Sequence, residues 1–144
     1  MIRVMQRKDY EQAKTLWDDI EGMGLRNLDD SCEGIGKFLD RNPTSCFVVE
    51  IESQVIATIL CGHDGRRASI YHLAVAKRKR GLGYGRDLVN AVERAVKAQG
   101  IHKIALVVFN ENQQGNEFWS RMGYTVRTDL TYRNKSVNRI NESS

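Results

Sequence analysis

The stretch Leu73-Ala74-Val75-Ala76-Lys77-Arg78-Lys79-Arg80-Gly81-Leu82-Gly83-Tyr84-Gly85-Arg86-Asp87-Leu88 constrains this chain more than any other. An apolar strand pattern runs into a basic, glycine-rich turn, and the turn runs straight into an amphipathic helix carrying Leu88, Ala91, Val92, Ala95 and Val96. In that order, free backbone N–H groups and the positive end of a helix dipole converge on one spot, which selects an anion. Glycines at 81, 83 and 85 let the backbone approach a phosphate without a Cβ in the way, and Arg80 adds a permanent, bidentate charge. A P-loop would follow its last glycine with Lys-Ser or Lys-Thr, whereas Arg86-Asp87 stands here. The glycine spacing also fails the dinucleotide fingerprint.

The rest of the chain supplies an α/β frame for that turn. Val4 opens a strand, Asp9 stands at an N-cap position, and Ala13, Leu16, Trp17 and Ile20 recur at helical spacing until Gly22 and Gly24. A second helix follows a cap at Asp30 or Ser31, with Ile35, Phe38 and Leu39 as its apolar stripe and Asn42-Pro43 as its stop. Cys46–Ile51 and Gln54–Cys61 read as a hairpin, and the polar turn His63–Arg67 leads to a third antiparallel strand, Ala68–Val75. Beyond the long helix, Gly100 takes a C-cap position, and Ile104–Phe109 is apolar throughout, the pattern of a central strand covered on both faces. That strand is expected to run parallel to 68–75. A fourth helix is predicted over Gln113–Arg121, then two strands at 124–127 and 130–133, and a frayed polar tail over 136–144. No repeat or linker divides the chain, so one domain over residues 1–135 is expected.

Composition sets limits on partners and compartment. The chain has 144 residues, 41% of them hydrophobic and 28% charged, a globular balance long enough to bury its own core. The charged start cannot serve as a secretory signal, and no stretch is apolar for long enough to span a bilayer, so a cytoplasmic protein with no membrane partner is expected. Three widely spaced cysteines, Cys32, Cys46 and Cys61, read as small buried or half-buried side chains, with no metal-site spacing. The net charge of +4 is modest. The basic run Lys77–Arg80 has no interleaved aromatic residues for stacking on a nucleic acid, so no nucleic-acid partner is expected.

Arg80-Gly81-Leu82-Gly83-Tyr84-Gly85 resembles the Arg/Gln-x-x-Gly-x-Gly/Ala signature of the GNAT N-acetyltransferase superfamily. Asn112-x-x-Gly115-x-x-Phe118-Trp119-x-x-Met122-Gly123-Tyr124 is similar to that family's C-terminal pattern, and the His63–Gly65 turn and Ile2–Trp17 start look like its small bacterial YpeA-like branch. The resemblance implies a mixed, mostly antiparallel central sheet with a parallel splayed strand pair, flanked by about four helices. It implies acetyl-coenzyme A as cosubstrate, an amine acceptor, no metal and direct transfer, with a homodimer left open. Cofactor contacts carried over are Leu73, Ala74 and Val75 on the strand, Arg80, Gly81, Leu82, Gly83, Tyr84 and Gly85 on the loop, and Asn112 and Trp119 beyond it.

The catalytic residues are less defined. A glutamate serves some members as base, but the equivalent position falls near Ser69, which leaves His72, Asp64 and Glu50 as candidates, directly or through water. The family's usual tyrosine acid is replaced by Trp119, whose indole N–H is no usable acid, and Tyr132 is the hydroxyl considered in its place. A catalytically weak acyl-coenzyme A sensor or interaction module is the alternative from another class.

Overall fold

A computed structural model describes residues 1–142 of the chain. Strands β1 (Ile2–Val4), β2 (Phe47–Ile51), β3 (Gln54–His63), β4 (Ala68–Val75) and β5 (Ile104–Ala105) form one sheet in the order β1-β2-β3-β4-β5. The first three pairings are antiparallel and β4–β5 is parallel. Helices α1 (Tyr10–Asp18), α2 (Cys32–Arg41), α3 (Tyr84–Ala98) and α4 (Gln113–Arg121) flank it. β3 is buried at every residue from Val55 to Gly62, on both parities, because α1 and α3 both pack against it.

Local chemistry explains most of the boundaries. Ser31 caps α2 by accepting from the Gly34 amide at 3.0 Å. Glu52 and Ser53, both at positive φ, make the two-residue turn of the β2–β3 hairpin without a glycine, because that turn matches the twist of the flanking strands. α3 closes as predicted: Gly100 sits at φ 77°, its amide donates to Lys97 O and that of Ile101 to Val96 O. Asp9 differs from expectation. Its side chain does not cap α1 but turns back to accept from Gln6 N and pairs with both Arg3 terminal nitrogens at 2.7 and 2.8 Å.

Three sequence expectations need correction. The run 104–109 is an edge strand and not a central one: its ladder ends at Ala105, and Val107 and Phe109 are 69% and 56% exposed while Ile104, Leu106 and Val108 face the core. A short apolar run carries no mark of whether one or both of its edges are paired. Residues 124–133 form no strand, because the ladder at the sheet edge stops before it can template one; the chain turns locally at an Arg127–Asp129 ion pair instead. The segment 138–142 is tied down where fraying was expected: Asn141 Oδ1 accepts from Leu28 N and Asp29 N, its amide donates to Asp29 Oδ2, and Glu142 O accepts from Asn27 N. Residues 143–144 of the expected tail lie outside the described residues.

No helix among the described residues is long and apolar enough to cross a membrane. Of the cysteines, Cys46 and Cys61 are buried as expected, but Cys32, at the exposed start of α2, is not. Burial pushes the Cys46 thiol up to about 11 and the Cys61 thiol to about 12, so both stay protonated and shielded near neutrality. An aromatic disulfide reagent at neutral pH should therefore titrate one thiol of three quickly in the native protein and all three in denaturant. A Cys32→Ser variant should lose the fast phase.

Candidate active site

Pairing of β4 with β5 is confined to Ala68–Ile104 and Ser69–Ala105, so the two strands diverge beyond it and a cleft opens between them. β4 carries a bulge where it borders this opening. Its register with β3 passes from Thr58 opposite Ala74 to Leu60 opposite Tyr71, two steps on one strand against three on the other. The extra residue is absorbed around His72, which sits at φ 49°, a left-handed conformation unusual for a side-chain-bearing residue inside a strand.

Three elements hold that bulge. Thr58, fully buried, donates from Oγ1 to His72 O at 2.9 Å and accepts at 2.9 Å from the indole N–H of Trp17. The Trp17 and His72 rings meet edge to face at a centroid distance of 4.8 Å. His72 Nε2 lies 2.5 Å from Asp30 Oδ1, on the loop before α2, and Asp30 is itself buried, accepting from Arg26 N through Oδ2 and from the Tyr10 hydroxyl through its backbone oxygen. Sequence reasoning missed Asp30 as His72's partner, since 42 residues separate them.

Beyond β4 the basic run forms a single 3₁₀ turn at Lys77–Lys79. Its charges divide: Arg78 turns away to Gln54, while Lys77, Lys79 and Arg80 line the cleft. Arg80 Nε donates to Val75 O at 3.1 Å, folding the side chain back over the strand end. Gly81 and Gly83 lie at φ 78° and 88°, and Gly83 is the N-cap of α3, a 15-residue helix. The backbone N–H groups of residues 81–86 have no acceptor among the described residues, since the first bond of the helix runs from Asp87 N to Gly83 O. Gly85 has a different use from its neighbours. A Cβ there would meet the Phe118 ring at 3.3 Å, so this glycine lets α4 close against α3.

The expected residues fall into two groups. His72, Leu73, Ala74, Val75, Arg80, Gly81, Gly83, Tyr84, Gly85, Asn112, Trp119 and Tyr132 all border one broad, open concavity that takes in the splay; Leu82 projects from the loop, 63% exposed. Glu50 and Asp64 are not among the lining residues. Glu50 accepts from Arg3 Nε, and Asp64 Oδ1 accepts from the amides of Arg66 and Arg67, which hold its carboxyl below the usual range in the β3–β4 turn. Asn112 caps α4 through Gly115 N at 2.9 Å. Trp119 is buried between Phe118 and Tyr124, and the Tyr124 hydroxyl donates to Glu93, burial and that carboxylate raising its pKa. No cluster of three or more potential metal ligands occurs among the described residues.

The model of the acetyltransferase (GNAT) family matches residues 7–124. Among solved structures, this fold resembles Ard1 from Thermoplasma volcanium at 22% identity and a TM-score of 0.76, over 85% of this chain and 80% of that one. It resembles the aminoglycoside N-acetyltransferase AAC(6')-Iy, solved in complex with coenzyme A, at 17% identity and a TM-score of 0.75, over 94% and 93% of the two chains. A predicted acetyltransferase with acetyl-coenzyme A from Clostridium acetobutylicum matches at 17% identity and a TM-score of 0.70, over 93% and 95%. The splayed strand pair, the amide-rich loop at the head of α3 and the family match over most of its length agree: this chain belongs to the acetyltransferase (GNAT) family.

Proposed function

We propose that this protein transfers the acetyl group of acetyl-coenzyme A to a primary amine of a small molecule or a peptide, within the small bacterial YpeA-like branch of its family. One observation carries the reading: the acceptor-free amides of residues 81–86 converge at the N-terminus of α3, at the mouth of the splay. A pyrophosphate fits this cradle. It needs several donors within one turn and no Cβ in its approach, and the left-handed Gly81 and Gly83 meet both needs. Lys77, Lys79 and Arg80 add positive charge along the same wall.

Acetyl-coenzyme A, when bound, supplies an activated acyl group on a thiol leaving group. The chain's own part is to orient and to move protons. The loop amides and Arg80 would hold the phosphates, and the backbone of Leu73, Ala74 and Val75 would hold the arm. The β4 bulge falls beside Leu73, where a backbone N–H freed from the ladder would be the donor that stabilises a developing oxyanion. The second reading, a binding protein with weak chemistry, draws on one specific observation: Trp119, buried and packed on two aromatic rings, occupies the position where the family resemblance puts a tyrosine.

A thiol-release screen of amines with acetyl-coenzyme A tests the function itself: acceptor-dependent release is expected, and binding without release would favour the second reading. For the cradle, Gly83→Val should weaken coenzyme binding by about tenfold or more in calorimetry, about 1.4 kcal/mol. Gly83→Asn, which tolerates left-handed backbone, separates a blocked approach from strain. Arg80→Ala should cost about threefold, and less as salt is added. Unchanged affinity in both Gly83 variants would remove the phosphate assignment. For Trp119, a rate gain in Trp119→Tyr but not in Trp119→Phe would identify a missing acid; equal rates in the two would assign the position to packing.

A further inference from the structure

The geometry points to His72 and Asp30 as a proton-accepting dyad, with His72 Nδ1 as the base toward the acceptor amine and Asp30 as the residue that positions it; this rests on the acetyl-transfer reading above. The tautomer follows from the partners. In the dyad Asp30 Oδ1 is the acceptor, so His72 Nε2, 2.5 Å away, carries the hydrogen, and the ring in this tautomer presents its lone pair on Nδ1. Nδ1 makes no hydrogen bond. Among the described residues no buried side-chain nitrogen or oxygen lacks a partner, so this unbonded atom must be reached by solvent, on a residue that lines the cleft.

The ring is also held in place as a base needs to be. His72 is only 12% exposed at its side chain and Asp30 7%. Trp17 packs on the ring, Thr58 fixes the His72 carbonyl, and Tyr10 and the Arg26 amide fix Asp30. The left-handed φ of His72 is a local cost that the surrounding contacts sustain, and such costs collect where a side chain must point one way. A structural staple alone would not require one ring nitrogen to be left without a hydrogen bond. Glu50 and Asp64, the other carboxylate candidates, are engaged away from the cleft.

In the proposed step the acceptor nitrogen forms its bond to the acyl carbon as the carbon–sulfur bond breaks. His72 Nδ1 takes the proton that the nitrogen sheds, directly or through one water, and Asp30 balances the imidazolium. That proton then passes to the departing sulfur, so the products are an amide and a free thiol, and His72 returns to its starting form.

The test uses the full chain with His72→Gly, His72→Asn and Asp30→Asn. Gly and Asn both accept left-handed backbone, so the two His72 variants should keep the fold and bind acetyl-coenzyme A as the parent does. With an amine from the screen, kcat should fall about 10²–10⁴-fold in both while KM for acetyl-coenzyme A is unchanged. Added imidazole should restore part of the rate in His72→Gly and none in His72→Asn. Asp30→Asn should lower kcat about tenfold or more at unchanged KM. A readout without turnover is ¹⁵N NMR of the free protein, which should show His72 as the Nε2–H tautomer, with that preference lost in Asp30→Asn. A His72→Gly variant that keeps the parent rate, or a parent His72 protonated at Nδ1, overturns the dyad alone. A parent that binds acetyl-coenzyme A and releases thiol with no amine overturns the acetyl-transfer reading instead.

Discussion

The short parallel pairing of β4 with β5 is the constraint on which the rest depends. Two paired residues suffice to fix β5 beside the sheet, and the divergence that follows leaves β4 with an open side just where its bulge falls. A bulge inside a fully paired strand would be covered on both edges. At a splay it faces a cleft, and the side chain and backbone groups it redirects become available to a ligand. The buried chain from Trp17 through Thr58 to His72 O, with Asp30 on the ring, keeps that bulge in one conformation. Replacing the water that would otherwise satisfy these polar groups with protein partners is what lets them sit in the core without an orphaned atom.

How much of this was legible in the sequence follows from the range over which each feature is determined. The loop is a local object: strand pattern, glycines at 81 and 83 and the amphipathic α3 stand side by side, and the structure has them as strand, left-handed turns and helix. α4 was equally readable, to about its observed bounds at Gln113 and Arg121, because its cap and its stop at Gly123, φ 90°, are both local. Strand pairing is not local. Nothing in Ile104–Phe109 says how many neighbours the strand will have, and nothing in 124–133 says that no paired edge awaits it. The Asp30–His72 contact escaped for the same reason, compounded by the left-handed His72, which no residue pattern announces.

The glycine-rich motif itself turns out to have two uses rather than one. Gly81 and Gly83 answer a backbone requirement, whereas Gly85 and Gly115 answer a packing one: a Cβ at 85 would press on Phe118, and one at 115 would meet the Asn112 side chain at 2.5 Å. The two motif segments, 80–85 and 112–124, are therefore coupled mechanically. Asn112 starts α4, the missing Cβ at 115 admits that cap, and the missing Cβ at 85 lets the helix so started close on the 80–85 loop. A spacing recognised as a signature is here the record of one helix docking on another.

That docking also bears on the position of Trp119. Its indole lies between Phe118 and Tyr124 at centroid distances of 5.1 and 5.0 Å, and Tyr124 reaches across to Glu93 of α3. A tyrosine at 119 would bring a hydroxyl into this aromatic stack, and when buried that hydroxyl would need a partner of its own. Tyr124 already engages Glu93, the carboxylate at this seam, and burial together with that carboxylate holds its phenol further from ionisation. The aromatic stack serves to fix α4 against α3, beside the loop whose amides have no acceptor among the described residues.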